Sequence, residues 1–459
     1  MNKPNSSPTG FGWPQVLRLG LVQAMLGAVV VLTTSTLNRV MAVELALPAM
    51  LPGLLVAWHQ AVQLTRPRMG YGSDRGARRT PWIVGGQAVL ALGGWLAAVA
   101  TAWMSTSPGA GLALAVLAFT LVGLGVSAAG TSLLTLLATR VAPAQRGSAA
   151  ATVWVMMIIG FAVTAGVAGR FLDPYTPQRL VAVSGTVSIL AFVVTLLALW
   201  RLERSSRPVA GADAPDRMTG ARFRQTLAEV WAEPDARRFT VFVFVSMIAY
   251  SAQDLILEPF AGVMFGFTPG ETTRLSGVQH GGTLAGMLLA ALAGRRVLGV
   301  GFGSLRVWTV WGCAASCLAL AGLAFAGFGG PAVAATWPLR ANVFLMGVAN
   351  GAFSIAAIGS MMALAGHGRG QREGTRMGLW GAAQAIGFAS GGLIGTMASD
   401  VARWALGSPG PAYATVFALE ALLFVAAAWL ARHITTPGGV TGSQALPVLA
   451  GAQPVEERS

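Results

Sequence analysis

The chain has 459 residues, of which 54% are apolar and only 10% are charged, and its mean hydropathy is +0.63. Soluble domains carry roughly 25% charged residues, so this composition excludes a large water-soluble fold, and the scarcity of charge also excludes a disordered chain. The formal net charge is +14. In a soluble protein such a charge would indicate nucleic-acid binding, but here the arginines are concentrated in a few short loops, so no nucleic-acid partner is expected.

Apolar runs of membrane-spanning length recur along the chain in two sets of six, separated by a polar connector. The first set is expected near 16–38, 45–65, 81–104, 110–138, 148–169 and 179–200. The second set is expected near 239–262, 273–294, 304–327, 338–364, 377–398 and 411–432. This pattern predicts an all-α integral membrane protein with twelve transmembrane helices.

Two bundles of six helices follow from this layout, with polar segments before, between and after them. The expected organisation is a cytoplasmic tail at 1–15, a first bundle at 16–200, a cytoplasmic linker at 201–237, a second bundle at 238–432, and a disordered cytoplasmic tail at 433–459. Most arginines fall in the loops that face the cytoplasm if the N-terminus is inside. The positive-inside rule therefore places both termini in the cytoplasm.

An internal repeat supports two equivalent halves. Gln145-Arg146-Gly147 recurs as Gln371-Arg372-Glu373-Gly374, 226 positions later. Gly70, which opens the basic loop after the second span, has a counterpart in Gly294, 224 positions later. The similar offsets predict a parallel repeat of six and six spans, as in the major facilitator superfamily.

The segment 70–79 is a glycine- and arginine-rich loop between the second and third spans. It resembles the cytoplasmic signature loop of the major facilitator superfamily. Glycines permit a tight turn, and arginines hold such a loop at an anionic membrane surface. The alternative interpretation is an ordinary positive-inside loop. The residues expected to form a conformational-switch loop are Gly70, Asp74, Arg75, Arg78 and Arg79.

Ionisable residues occur beside the first span and within the seventh, where charge is costly and by default indicates function. Arg39 and Glu44 flank the turn between the first two spans, and Asp254 and Glu258 are four residues apart in the seventh. Because spans one and seven are equivalent in the repeat, we expect Arg39 to meet Asp254 or Glu258 as an outer gate. The alternative is that both carboxylates lie near the outer interface and are hydrated.

The two stretches that contain these ionisable residues resemble a known family. Residues 36–49 and 253–260 resemble the PucC/LhaA family, the bacteriochlorophyll delivery branch of the major facilitator superfamily. The loop at 64–83 is similar to a subgroup labelled bacteriochlorophyll synthase chain. The resemblance implies a protein of the bacterial inner (intracytoplasmic) membrane that binds bacteriochlorophyll or a late precursor and delivers it for light-harvesting complex assembly. Pigment synthase and light-harvesting polypeptides are the implied partners, besides the lipid bilayer.

The resemblance makes the histidines candidate ligands, because the magnesium ion of a chlorin usually binds an imidazole as its axial ligand. His59 lies one turn before Gln63 in the second span, and His280 follows Gln279 in the eighth. Their positions in the repeat differ by three residues, so we expect the two imidazoles to project similarly from symmetry-related helices. These four residues are the candidate pigment ligands, with no covalent cofactor and no directly bound metal. The alternative is that each histidine is buried and hydrogen-bonded to a neighbouring helix.

Catalytic sequence patterns are absent: the chain has no phosphate loop, no Cys-x-x-Cys and no nucleophile elbow with suitable partners. We therefore expect a protein that is not an enzyme. Two further functions stay open. One is an ion-coupled small-solute transporter using Asp254 or Glu258, and the other is a non-transporting scaffold for pigment synthase and antenna polypeptides.

Overall fold

The computed structural model describes residues 11–66, 78–142, 145–205, 228–293, 304–365 and 373–433, and within them the chain is almost entirely helical. We number the long helices in chain order. They are α1 Trp13–Glu44, α2 Met50–Val62, α3 Thr80–Met104, α4 Pro108–Arg140, α5 Arg146–Phe171, α6 Pro177–Leu199, α7 Pro234–Phe265, α8 Pro269–Ala293, α9 Leu305–Phe328, α10 Leu339–Ala365, α11 Glu373–Leu406 and α12 Pro409–Arg432. Short helical turns at Gln63–Thr65, Leu202–Ser205 and Gly330–Ala334 complete the set.

Nine helices in the described part of the chain are long and apolar enough to cross a membrane, namely all of those above except α2, α8 and α11. The chain is thus a multi-pass membrane protein. The other three expected spans coincide with α2, α8 and α11. Of these, α2 has only 13 residues, and α8 carries Glu271 and Arg274 near its start. The expected number of twelve crossings stays a prediction.

The helices pack in a pattern that repeats between the first six and the last six. In the first half α1 packs against α5 and α6, α2 against α4, and α3 against α4 and α6. In the second half α7 packs against α11 and α12, α8 against α10, and α9 against α10 and α12. Each pair in one half therefore has its counterpart in the other, as a sequence repeat of six and six requires.

The two halves meet mainly along two helix pairs, α5 with α8 and α2 with α11. Both contacts depend on glycine. A methyl group at Gly169 in α5 would lie 2.6 Å from the carbonyl oxygen of Gly270 in α8. A methyl group at Gly53 in α2 would lie 2.1 Å from the Thr396 hydroxyl in α11. Small residues of this kind allow membrane helices to approach closely.

Several helix ends differ from the expected ones. One difference is in α1, which was expected to stop near residue 38 but continues to Glu44 through two π-helical turns at Leu32–Thr36 and Val40–Glu44. The helix continues because its polar residues find partners inside the protein: the Asn38 amide donates to the Leu255 carbonyl of α7. Similarly, α11 extends to Leu406. Of the expected linker and tails, residues 1–10, 206–227 and 434–459 lie outside the described residues.

Candidate functional site

Arg39 lies at the centre of a polar contact near the end of α1, and its side chain is almost fully buried. The guanidinium forms an ion pair with Glu44, and its Nη2 donates a hydrogen bond of 2.7 Å to the carbonyl oxygen of Phe267. Phe267 belongs to the second half, in the loop between α7 and α8. A methyl group at Gly262 would lie 2.8 Å from Nη2, so this glycine leaves space for the guanidinium.

The partner of Arg39 is not the one expected from the sequence. All four candidate charges are described, and Arg39 pairs with Glu44 and not with Asp254 or Glu258. The local backbone explains the choice, because a π-helical turn aligns residues five apart, which brings Glu44 over Arg39. Whether these charges act as a gate stays a prediction.

Tyr175 lies near this ion pair, in the loop between α5 and α6. Its burial, together with the negative charge of Glu44, raises the pKa of Tyr175 to about 12, although the positive charge of Arg39 acts in the opposite direction. The Tyr175 hydroxyl therefore stays neutral at physiological pH and adds no further charge to the Arg39–Glu44 pair.

Three carboxyl groups are enclosed in the second half: Asp254 and Glu258 in α7, and Glu420 in α12. Glu258 and Glu420 are each only 2% exposed, and neither oxygen of either residue accepts a hydrogen bond from a described residue. Asp254 is half-buried, and its Oδ1 accepts a hydrogen bond of 2.9 Å from Nε2 of Gln279. Such unpartnered carboxyl groups inside a membrane helix are costly and indicate a functional role.

Asp254 and Glu420 lie at the same level of the second bundle, as the aromatic contacts next to them indicate. The ring of Phe353 in α10 lies 6.5 Å from that of Tyr250 in α7 and 5.9 Å from that of Phe424 in α12. Asp254 is one turn after Tyr250, and Glu420 is one turn before Phe424, so on these antiparallel helices the two carboxyl groups lie at the same level. Glu420 is not among the site residues expected from the sequence, although a single acid within the apolar run 411–432 is a signal that could have identified it.

His59 is buried inside the first half. It is 1% exposed, and its ring meets the Phe119 ring of α4 edge-on, with 6.3 Å between centroids. Its Nδ1 has no hydrogen-bond partner among the described residues. Close packing of α2 on α4 surrounds it, since a methyl group at Gly123 would lie 2.7 Å from the His59 carbonyl oxygen.

His280 lies instead between the two halves. Its Nδ1 and the carbonyl oxygen of Ser276 are 2.8 Å apart, and its ring meets the edge of the Phe161 ring of α5 at 5.0 Å. His59 faces α4, whereas His280 faces α5, so the expectation that the two imidazoles project alike is not met. The three-residue difference between their repeat positions contributes to this, because it offsets the two side chains by about 60° around equivalent helices.

The two candidate glutamines bind other partners. Gln63 donates to the Gln60 side chain at 2.9 Å and accepts from Arg66, while Gln279 donates to Asp254. The structure therefore brings Gln279 and Asp254 together, but it does not gather the two histidines and two glutamines into one site. Neighbouring Gln279 and His280 point to different helices, as consecutive helical residues do.

The expected switch loop is only partly described. Gly70, Asp74 and Arg75 lie outside the described residues. Arg78 is exposed, and the Arg79 guanidinium donates a hydrogen bond of 3.0 Å to the Thr139 hydroxyl.

Glu203 caps the start of α3 by accepting from the backbone N–H groups of Arg79 and Thr80 at 3.0 and 2.8 Å. Partial burial of Glu203 opposes its ionisation, but these hydrogen bonds outweigh it and lower the pKa of Glu203. The end of α6 is thereby fixed to the start of α3.

A cavity of about 710 Å³ opens at the end of α7 and the start of α10, with Phe267, Trp337 and Arg340 among its lining residues. Neither His59 nor His280 lines it. No group of three or more His, Cys, Asp or Glu side chains that could hold a metal ion occurs in the described part of the chain.

Comparison with known proteins relates this chain to a family and a fold. The family model described as "PUCC protein" matches residues 36–438. The "Bacteriochlorophyll synthase 44.5 kDa chain" of Rhodobacter capsulatus is 52% identical over 428 residues, covering 93% of this chain and 97% of the relative. "Protein PucC" of the same organism is 31% identical over 458 residues, covering 93% of each chain.

Solved structures show the same fold at low sequence identity. A point mutant of the nucleoside transporter NupG matches with a TM-score of 0.66 and 15% identity, over 92% of this chain and 99% of that one. A bacterial homologue of the human lysosomal transporter Spinster matches with a TM-score of 0.60 and 16% identity, over 95% and 98%. The predicted major facilitator fold is thus confirmed.

Proposed function

The chain belongs to the PucC family, and we propose that it binds bacteriochlorophyll, or a late precursor, within the membrane and delivers it to light-harvesting complexes during their assembly. The observation that carries the proposal is the 52% identity over nearly the full length to a relative named for bacteriochlorophyll synthesis. The major facilitator fold supports a carrier rather than a catalyst. The word "synthase" is part of the relative's name and assigns no catalytic activity to this chain. The site of action would be the bacterial inner membrane, with both termini cytoplasmic, as the arginine distribution predicts.

His280 is the side chain best prepared to bind the pigment magnesium. With Nδ1–H donating to the Ser276 carbonyl, the lone pair of the imidazole is on Nε2, and this is the arrangement that metal-ligating histidines usually adopt. No hydrogen bond to Nε2 is present within the described part of the chain. Because His280 is only 6% exposed between α5 and α8, the halves must shift locally, or open towards lipid, before a pigment can reach it.

His59 is the second candidate ligand, since its Nδ1 has no partner among the described residues. It lies inside the first half, so the two histidines would act separately. One would receive the pigment where the halves meet, and the other would bind it within the bundle. Gln63 and Gln279 are then supporting residues that reach their histidines only after giving up their present hydrogen bonds.

The proposal is tested by the absorption spectrum of the protein purified in mild detergent from a pigment-producing host. We expect bound pigment in the wild type, its reduction in H280A, and a smaller reduction in H59A. H433A is the matched control, because His433 is exposed at the end of α12 and bonded to the Trp429 carbonyl. Equal pigment in all four proteins would remove the ligand assignment, whereas absence of pigment from all of them would overturn the delivery function.

A second function is favoured by one observation, the unpartnered carboxyl groups of Glu258 and Glu420. Such groups would suit an ion-coupled transporter of a small solute. In that case proteoliposomes should change their internal pH when the solute is added, and E420Q should abolish the change. A scaffold, by contrast, would retain pigment synthase or antenna polypeptides on purification but bind no pigment alone.

A further inference from the structure

One end of the helix bundle carries contacts that join the two halves. This end, which we call the distal end, contains the loops that connect α1 to α2, α5 to α6, α7 to α8 and α11 to α12, and it is opposite to the start of α1 at Trp13 and the end of α12 at Arg432. Two aspartates there reach across from one half to the first turn of a helix in the other.

Asp400 of α11 is the first of them. Its Oδ1 accepts a hydrogen bond of 3.0 Å from the backbone N–H of Ala49, and its Oδ2 accepts one of 2.7 Å from the N–H of Met50. These groups belong to the N-terminus of α2, which has no capping side chain of its own. The carboxylate from the second half therefore takes the place of a local cap and also interacts favourably with the helix dipole.

Asp173, just after α5, makes the equivalent contact in the opposite direction. Its Oδ1 accepts a hydrogen bond of 3.2 Å from the N–H of Gly270 in the first turn of α8, and its Oδ2 lies 3.3 Å from Nη2 of Arg274. Gly270 is needed for this approach, because a methyl group there would lie 2.4 Å from the Asp173 carboxyl carbon.

The two contacts are related by the internal repeat. Helices α2 and α8 are equivalent, as are α5 and α11, and Asp173 and Asp400 are 227 positions apart, close to the offset of the repeated Gln-Arg-Gly turns. Each aspartate thus binds the N-terminus of the helix that packs against its own helix across the interface. Both interactions must break if the halves separate at this end.

We propose that Asp173 and Asp400 form two symmetry-related latches that hold the distal end of the protein closed, and that releasing them is the step that lets this end open. The latches act on the relative position of the halves and do not depend on which cargo the protein carries. Each latch is a charged hydrogen-bond acceptor on backbone donors, so substitution by asparagine weakens it without changing its size.

The test measures opening at the distal end through a buried reporter. Thr36 and Thr273 join the halves by a hydroxyl hydrogen bond of 3.0 Å, and Thr36 is 1% exposed. Thr36→Cys, in a background in which Cys313 and Cys317 are replaced by alanine, reports opening as the rate of maleimide alkylation in detergent. Asparagine keeps one acceptor oxygen but turns an NH2 group towards the second donor that each carboxylate now binds. Loss of one hydrogen bond corresponds to about a fivefold change in an equilibrium, so we expect D173N and D400N each to raise the rate about fivefold and the double variant roughly 25-fold.

Glu271→Gln is the matched control, because Glu271 caps the same α8 N-terminus from within its own half. Its Oε2 accepts from the Thr268 N–H at 3.0 Å, and its N–H donates to the Thr268 hydroxyl at 3.2 Å. E271Q should therefore leave the rate at the parental value. Rates in D173N and D400N within twofold of the parent, or an equal increase in E271Q, would overturn the proposal. Should the double variant not fold, the two single variants carry the test.

Discussion

Adjacent glycines in α8 allow a sharp test of how closely this helix must approach its neighbour. A methyl group at Gly282 would lie 2.3 Å from the Phe344 carbonyl oxygen of α10, whereas a methyl group at Gly281 would have no heavy atom within 4 Å. The two positions share the same helix and the same local sequence. Gly281→Ala and Gly282→Ala therefore differ only in what the added methyl group meets.

The expected magnitude follows from the geometry. A carbon atom and a carbonyl oxygen come no closer than about 3.3 Å, so in G282A the helices must separate locally by about 1 Å. Overpacking of this kind costs about 1–3 kcal/mol, while both variants share the gain of up to about 1 kcal/mol from replacing a helical glycine by alanine. We therefore expect G282A to be less stable than G281A by about 2 kcal/mol.

The assay is thermal denaturation in detergent, followed by the fraction of protein that still elutes as a monodisperse peak. For a chain of 459 residues, a difference of about 2 kcal/mol corresponds to a Tm roughly 2 °C lower in G282A than in G281A, with G281A at or above the wild-type Tm. If the two variants melt at the same temperature, α8 and α10 are not packed as described. The placement of Gln279 and His280, which depends on that packing, would then fail as well.

Two further predictions concern ion pairs and caps. Because the folded-state pKa of Glu203 is lowered from 4.5, its cap on α3 stabilises the protein fully above that pH and is lost as the pH falls through the folded value. The Tm of the wild type should therefore exceed that of E203Q at pH 7 and converge with it below about pH 4.5; a constant difference would contradict the cap. Removing the buried Arg39 guanidinium by R39Q breaks its bonds to Glu44 and to the Phe267 carbonyl and should cost about 1–3 kcal/mol, because Glu44 itself is exposed and stays hydrated; R39Q/E44Q should cost less than the sum of the single variants. Additive losses of Tm would show that the two residues do not interact.

The position of most helices could be predicted from the sequence, because long apolar runs and the arginine pattern depend on local composition alone. The ends were less accurate where polar residues continue a helix inside the protein. Asn38 and Arg39 are an example, since their side chains suggested the end of α1 until their partners on the second half were known.

The candidate site was harder to predict, because it depends on how each helix is rotated and on which helix it faces. His59 and His280 occupy similar places in the repeat, yet they contact different helices. The latches of Asp173 and Asp400 could not be foreseen, since each carboxylate binds backbone groups more than ninety positions away. Backbone donors of this kind have no signature in the sequence.

Pigment binding by the isolated protein is the most direct test of the proposed function. The protein should be produced in a host that makes no bacteriochlorophyll, reconstituted in lipid nanodiscs and titrated with the pigment, while the long-wavelength absorption band and the bound pigment per protein are measured. We expect saturable binding of one or two pigments per protein, with a shifted band that H280A weakens and H433A leaves unchanged. Uptake that never saturates and equals that of empty nanodiscs would contradict the proposal that this chain carries bacteriochlorophyll.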